Sequence, residues 1–260
     1  MSICQDTATV TLSVDLALGA TTSDDQRRRL DETTTALAGL LGEHRLSVTW
    51  ALDDPGALSA ASRSHATAAG SEVALLGQRR WADGSLDRAS ASREIATAIQ
   101  HAGAAGFSIS SLAFAGDIDA QLAEAAARQG IRAVRHASTD PGLQSRGSQP
   151  RPMQSGMWSF VTSVTLPAPE SWFASNRGRK ARAAVEAAIA QRGLAHVVVD
   201  AAALAAAAKS HQRALVRFVH YLAQCRQQRT IEVLSIQATA ARLSSRYKSQ
   251  PSRSILHSAA

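Results

Sequence analysis

Hydrophobic and polar positions alternate with period two over residues 8–18, where Val10, Leu12 and Val14 are separated by Thr9, Thr11 and Ser13 before Asp15. That period is the mark of a strand with two different faces. The pattern then lengthens to helical spacing: Asp24 and Asp25 open a helix of about twenty residues that carries Leu30, Leu37, Leu40 and Leu41 on one side and ends near Gly42. Residues 46–52 form a second apolar run, and Asp53-Asp54-Pro55-Gly56 supplies the turn after it. Within 70–84 the run Ser71-Glu72-Val73-Ala74-Leu75-Leu76-Gly77 reads as a third, buried strand. A helix over 90–103, a strand over 107–115, a helix over 118–129 and a short strand over 131–134 follow. Strand and helix alternating with short connections specify a parallel sheet covered by helices.

From 138 to 156 the pattern lapses into STDPGLQSRGSQPRPMQSG, a long surface loop. Residues 157–166 form another strand, a helix ends at Gly193, and 195–199 is a wholly apolar strand closed by Asp200. One helix is expected over 202–228, with Leu204, Leu215, Phe218, Leu222 and Cys225 facing the core and Lys209, Arg213, Arg217 and His220 facing water. A strand at 231–234 and a helix at 236–243 finish the fold, ahead of a basic tail without periodicity. The expected architecture is an α/β fold closed into a distorted (β/α) barrel of about seven strands, spanning 1–245, with residues 246–260 as the tail.

Composition changes this picture in three places. Aromatics are only 4% of the 260 residues, too few to pave a cleft with rings. The two cysteines, Cys4 and Cys225, have no metal-ligand spacing and compose no disulfide framework. With no apolar run of transmembrane length and no leader-like N-terminus, a cytoplasmic protein is expected. The net charge of +7 is concentrated, since residues 201–260 hold nine lysines and arginines against Glu232 alone. Nucleic acid or an anionic surface is therefore a candidate partner of that quarter only.

Several fragments resemble the polysaccharide deacetylase (NodB-homology) family. The third strand of that family carries a pattern like H-E-I-x-x-H-[GS]-x-x-H, on which Glu72, Val73 and Gly77 match. Leu76 and Arg80 stand where its two metal-binding histidines belong. Ser13-Val14-Asp15-Leu16 resembles the strand-end motif T-F-D-D-G, with Asp15 in the place of the general base and Leu16 in that of a metal-binding aspartate. Leu112-Ala113-Phe114-Ala115-Gly116 keeps only the glycine of R-x-P-x-G. In His196-Val197-Val198-Val199-Asp200 an aspartate replaces the family's terminal histidine. Leucine has no lone pair and a guanidinium repels a cation, so this set cannot hold zinc in the family's way. The resemblance implies a barrel lacking the metal ligands, the acid histidine and the arginine that orients the base.

In a barrel the site lies at the C-terminal strand ends. Asp15 is the retained catalytic candidate, and Arg79, Arg80, Trp81, Asp117, His136 and Asp200 are the candidate ligand-binding residues. An arginine pair beside an indole suits a sugar ring or an anion. The expected function is that of a glycan- or anion-binding, or regulatory, pseudoenzyme with no cofactor. One alternative is a divergent hydrolase of the amide in an acetylated amino sugar, with Asp15 as base and a divalent metal such as zinc held by Asp15, Asp117, Asp200 and His136. The other is a nucleic-acid or anionic-surface binder. Oligomeric state is not legible in the sequence.

Overall fold

The computed structural model describes residues 7–17, 23–58, 63–64, 66–68, 70–82, 85–114, 116, 118–137, 149–167 and 178–249. Its strands are β1 Ala8–Leu16, β2 Thr49–Leu52, β3 Glu72–Leu76, β4 Ser111–Ala113, β5 Ala133–His136, β6 Arg151–Pro152, β7 Trp158–Val161, β8 Val164–Leu166, β9 Leu194–Asp200 and β10 Ile231–Leu234. The helices are α1 Asp24–Glu43, α2 Arg79–Ala82, α3 Arg88–Ala104, α4 Ala120–Arg128, α5 Arg179–Gln191, α6 Ala201–Ala206, α7 Lys209–Gln227 and α8 Ile236–Ser249. All strands join one sheet in the order β6-β7-β5-β4-β3-β2-β1-β9-β8, with β10 also paired to β1. Every pairing is parallel except that of β6 with β7. None of the described helices is long and apolar enough to cross a membrane.

The alternation in β1 gives the sheet its two faces. Val10, Leu12, Val14 and Leu16 join the layer packed under Leu30, Leu37, Leu41, Phe218 and Leu222 of the outer helices. Thr9, Thr11, Ser13 and Asp15 are also buried or nearly so, and they point to the concave side. A strand fully buried on both faces with polar residues on one of them requires partners inside the curl.

Between residues 157 and 166 the single strand expected from sequence is two strands with different neighbours. Trp158–Val161 pairs with β5 and Val164–Leu166 pairs with β9, at opposite ends of the sheet. The link between them is bonded to both sides: the Thr162 N–H donates to His136 O (2.9 Å) and the Ser163 N–H to His196 O (2.8 Å). This short passage joins the two ends of the curled sheet, which is how about seven staves surround one interior.

The floor of the barrel is made by β10 and α8. β10 takes the edge of β1 along residues 8–11, below the stretch 13–16 taken by β2. At the start of α8 the Ile236 N–H donates to Thr49 Oγ1 (3.0 Å), and the Gln237 N–H to Glu72 Oε2 (2.8 Å). Two orphan amides of a helix N-terminus are thereby satisfied from β2 and β3. Ile236, Ala240 and Leu243 then pack on Ala133, Trp158, Phe160 and Leu194.

Other expectations are adjusted. The helix expected over 202–228 is broken at Ala207 and Ala208, both extended, into α6 and α7. In an alanine-rich run no residue marks the break. The apolar and basic faces of α7 are as anticipated, with Leu215, Phe218, Leu222 and Cys225 buried and Lys209, Arg213, Arg217 and His220 exposed. α8 continues past the expected end at 243 to Ser249 because Trp158 anchors it, through Nε1 to Ser244 Oγ (2.8 Å) and edge-to-face against Tyr247. At the end of the loop expected over 138–156, Arg151–Pro152 turns back on β7. Residues 250–260 of the tail lie outside the described residues.

Gly77 ends β3 where the backbone passes against the Phe114 ring. A Cβ built there lies 2.2, 2.5 and 2.6 Å from three ring atoms, and Phe114 is itself pinned edge-to-face by Trp81. Gly77→Ala is expected to cost roughly 1–3 kcal/mol through this overpacking. Urea unfolding would register it as a lowered midpoint with an unchanged slope.

Candidate functional site

The site is assembled by the inward positions at the C-terminal ends of the strands. Asp15 and Arg135 form a bidentate pair, Nη1 to Oδ1 and Nη2 to Oδ2, both 2.9 Å. Their strands lie four places apart in sheet order, so the arginine spans the interior. What lets it cross is the smallness of the positions between. In register, Asp15 is level with Ala51 and Ala51 with Ala74, while Arg135 is level with Ala113. These alanines form a small apolar cluster with Leu76. The Arg135 side chain is 1% exposed and that of Asp15 17%, so the acid, not the base, meets the mouth of the barrel.

Burial pushes the Asp15 carboxyl above its ordinary range, Arg135 draws it back in part, and Asp200 pushes it up again. Asp200 is the register partner of Asp15 on the neighbouring strand. One oxygen of Asp200 accepts from the Ala203 N–H (2.9 Å) and caps α6. Deeper in the barrel His196 lies between Thr11 Oγ1 (Nδ1, 2.6 Å) and Ser13 Oγ (Nε2, 3.0 Å). With no exposed surface, and with Arg135 adding repulsion, its pKa falls well below 6.5; the ring is neutral. It serves the interior network rather than the mouth.

The candidates read from sequence do not all converge here. Asp15 and Asp200 do. His136 does not: next to Arg135 along β5, it points to the opposite face, with Nδ1 bonded to Ala137 O (3.3 Å) and Nε2 to Ser159 Oγ (2.8 Å). Trp81 is 5% exposed, its indole N–H donates to Glu94 Oε2 (2.6 Å), and its ring meets Phe114, so it packs the wall instead of offering a face to a sugar. Arg80 also turns to Glu94, at 3.1 Å. These two residues border a separate groove of about 640 Å³ outside the barrel, with Asp53, Gln78 and His101. The Arg79 side chain and Asp117 lie outside the described residues.

Sequence reasoning missed Arg135. The expectation that the base lacks an orienting arginine is corrected: the arginine comes from β5, not from the end of β4. Ending the fifth strand at Val134 hid it; one more residue would have placed Arg135 on the face of Ala133, at a strand end, where a buried charge requires a partner.

The three positions that the resemblance assigns to metal ligands do not fit a metal. Leu16 faces the outer layer, away from Asp15; Leu76 faces inward without a donor atom; Arg80 lies on the outer groove. Both oxygens of Asp15 are engaged by a guanidinium, and among the described residues no three His, Cys, Asp or Glu side chains gather. The donor set proposed from Asp15, Asp117, Asp200 and His136 loses His136 to the opposite face.

No family model matches the chain, and no curated protein matches it in sequence. Among solved structures, a protein from Mycobacterium smegmatis assigned as a polysaccharide deacetylase superposes with a TM-score of 0.70 at 12% identity, over 95% of this chain and 94% of its own. The chain has the polysaccharide deacetylase fold. A 4-alpha-glucanotransferase from Thermococcus litoralis shares the same architecture (TM-score 0.63, 11% identity), over 91% of this chain but 40% of that longer one. A protein assigned to cellobiose-phosphate cleavage from Enterococcus faecalis superposes less well, with a TM-score of 0.51 at 10% identity over 90% and 99% of the two chains. Within the polysaccharide deacetylase fold, Asp15, Asp200 and Arg135 lie at the C-terminal ends of β1, β9 and β5.

Proposed function

We propose that this chain is a non-hydrolytic member of the deacetylase fold that binds a glycan at the barrel mouth. The observation that carries the reading is the lack of a donor set for the metal that would activate a water: Leu76 faces inward without a lone pair, and among the described residues no three His, Cys, Asp or Glu side chains gather. The two carboxylates of Asp15 and Asp200 against one guanidinium leave the mouth with an excess of acceptors. Sugar hydroxyls, which donate, suit such a mouth better than an anion does.

The test combines metal analysis, acetate release and binding. After dialysis against zinc, cobalt or nickel, the protein is expected to retain substoichiometric metal and to release no acetate from N-acetylglucosamine oligomers. Saturation-transfer NMR is expected to detect those oligomers on the native protein and to lose them in Asp200→Asn, which keeps the helix cap but removes the charge. Stoichiometric metal with acetate release abolished by Asp15→Asn would overturn the reading in favour of a divergent hydrolase. Absence of oligomer binding at millimolar concentration would remove the glycan.

A further inference from the structure

Away from the barrel mouth, the outer faces of α1 and α7 enclose an apolar groove of about 640 Å³ lined by Ala36, Leu37, Gly39, Leu40, Leu215 and Val216. Among the described residues Val216 and Tyr247 are the large apolar side chains left exposed, and Tyr247 has the Trp158 ring as neighbour. Val216, 39% exposed, stands between this groove and a basic depression lined by Lys209, Gln212, Arg213 and Arg217. Nothing stands within 4 Å of a Cβ at Gly39, so the α1 backbone is open to close approach at this point of the groove.

The charges on the two rims are of opposite sign. On α1, Asp31, Glu32 and Glu43 outnumber Arg27; the other guanidiniums of its first half, Arg28 and Arg29, are tied to Asp25. On α7 the rim is Lys209, Arg213 and Arg217, with no carboxylate among them. None of Glu32, Glu43, Lys209, Arg213 and Arg217 makes an ion pair among the described residues. A surface that is acidic on one side of an apolar strip and basic on the other is complementary to itself under a two-fold rotation. The acidic rim of one copy then meets the basic rim of the other twice, and the strips meet between.

We propose that this face is the two-fold interface of a homodimer, independent of the function of the barrel mouth. Its dimensions suit one. Helices of 20 and 19 residues are each roughly 30 Å long at about 1.5 Å per residue, and two such helix faces side by side provide the roughly 800 Å² per partner of a standard interface.

The experiment is sedimentation velocity on the full chain between about 1 and 100 μM. The native protein is expected to sediment as a species of twice 27.3 kDa that dissociates as salt is raised from about 50 to 500 mM. Val216→Arg is expected to sediment as a monomer at every concentration, with a thermal midpoint that no longer rises with protein concentration and that matches the native protein dissociated at about 500 mM salt. Glu32→Lys with Glu43→Lys in one chain, and Arg213→Glu with Arg217→Glu in another, are each expected to be monomeric, and an equimolar mixture of the two to recover the dimer. A native monomer at 100 μM, a dimer indifferent to Val216→Arg, or a mixture that stays monomeric would each overturn the proposal. A monomer that instead binds duplex DNA, with affinity lost in Arg213→Glu/Arg217→Glu, would reassign the basic rim to nucleic acid.

Discussion

Replacing Arg135 by methionine should lower stability by about 3–5 kcal/mol at pH 8, the usual consequence of removing one partner of a buried ion pair. The guanidinium is almost wholly buried and holds both oxygens of Asp15, so its loss leaves a carboxylate in the barrel with no counter-charge. The deficit depends on pH in a definite direction. Without Arg135 the Asp15 pKa in the folded chain, already raised, rises further above its unfolded value. The folded state then holds a proton that the unfolded state has released, and stability falls as pH rises through that interval. The penalty should accordingly be smaller at pH 5 than at pH 8. Adding Asp15→Asn to the Arg135→Met chain should recover most of the loss at pH 8. Urea unfolding of the four chains at the two pH values gives the coupling energy directly. A single-variant cost under about 1 kcal/mol would mean that the pair is solvated and does not span the interior.

Glu72→Gln should remove a fall in stability with rising pH between about 5 and 7. In the native protein that contribution is opposed by His196, whose lowered pKa makes stability rise with pH up to about 6.5. Burial raises the Glu72 carboxyl from 4.5 to about 7, although Thr49, the Gln237 amide and the Ile236 amide pull it down. The group is 7% exposed, and among the described residues no cation pairs with it. An acid with a raised folded pKa stabilises the fold only while protonated. Its cost is absent below the unfolded value, grows as pH rises from 4.5, and is complete above about 7. At about 1.4 kcal/mol per pKa unit the full effect is on the order of 3 kcal/mol. Glutamine keeps the acceptor for Thr49 or Gln237 and has no charge to desolvate. The difference between native and variant midpoints across pH 5–8 isolates this group from Asp15, whose raised pKa acts with the same sign. Parallel pH profiles would show that Glu72 titrates normally.

The fold was legible wherever one element presented two unlike faces. β1 shows this most clearly, because valines and leucines alternate with threonines and a serine, and both sets proved to be buried. The basic and apolar sides of α7 were equally readable. What escaped was whatever depended on a distant partner. No local pattern tells that Val161 and Val164 belong to opposite ends of a sheet, or that Ala207 and Ala208 interrupt a helix. The site was half legible for the same reason. Asp15 and Asp200 end strands and announce themselves, whereas Arg135 becomes informative only once three alanines from three other strands clear its path. Trp81 and His136 misled because proximity to a strand end says nothing about which face a side chain takes.

The passage at Thr162 and Ser163 makes the architecture a clasp fastened at a single point. The N-terminal portion supplies the staves from β1 to β5 and the C-terminal portion supplies β9 and the floor, and one stretch of chain stitches the two borders together. Neither portion encloses anything by itself. Loosening that stitch exposes the ionic interior to water from both borders at once, so opening is expected to propagate through the whole molecule instead of stopping at a half.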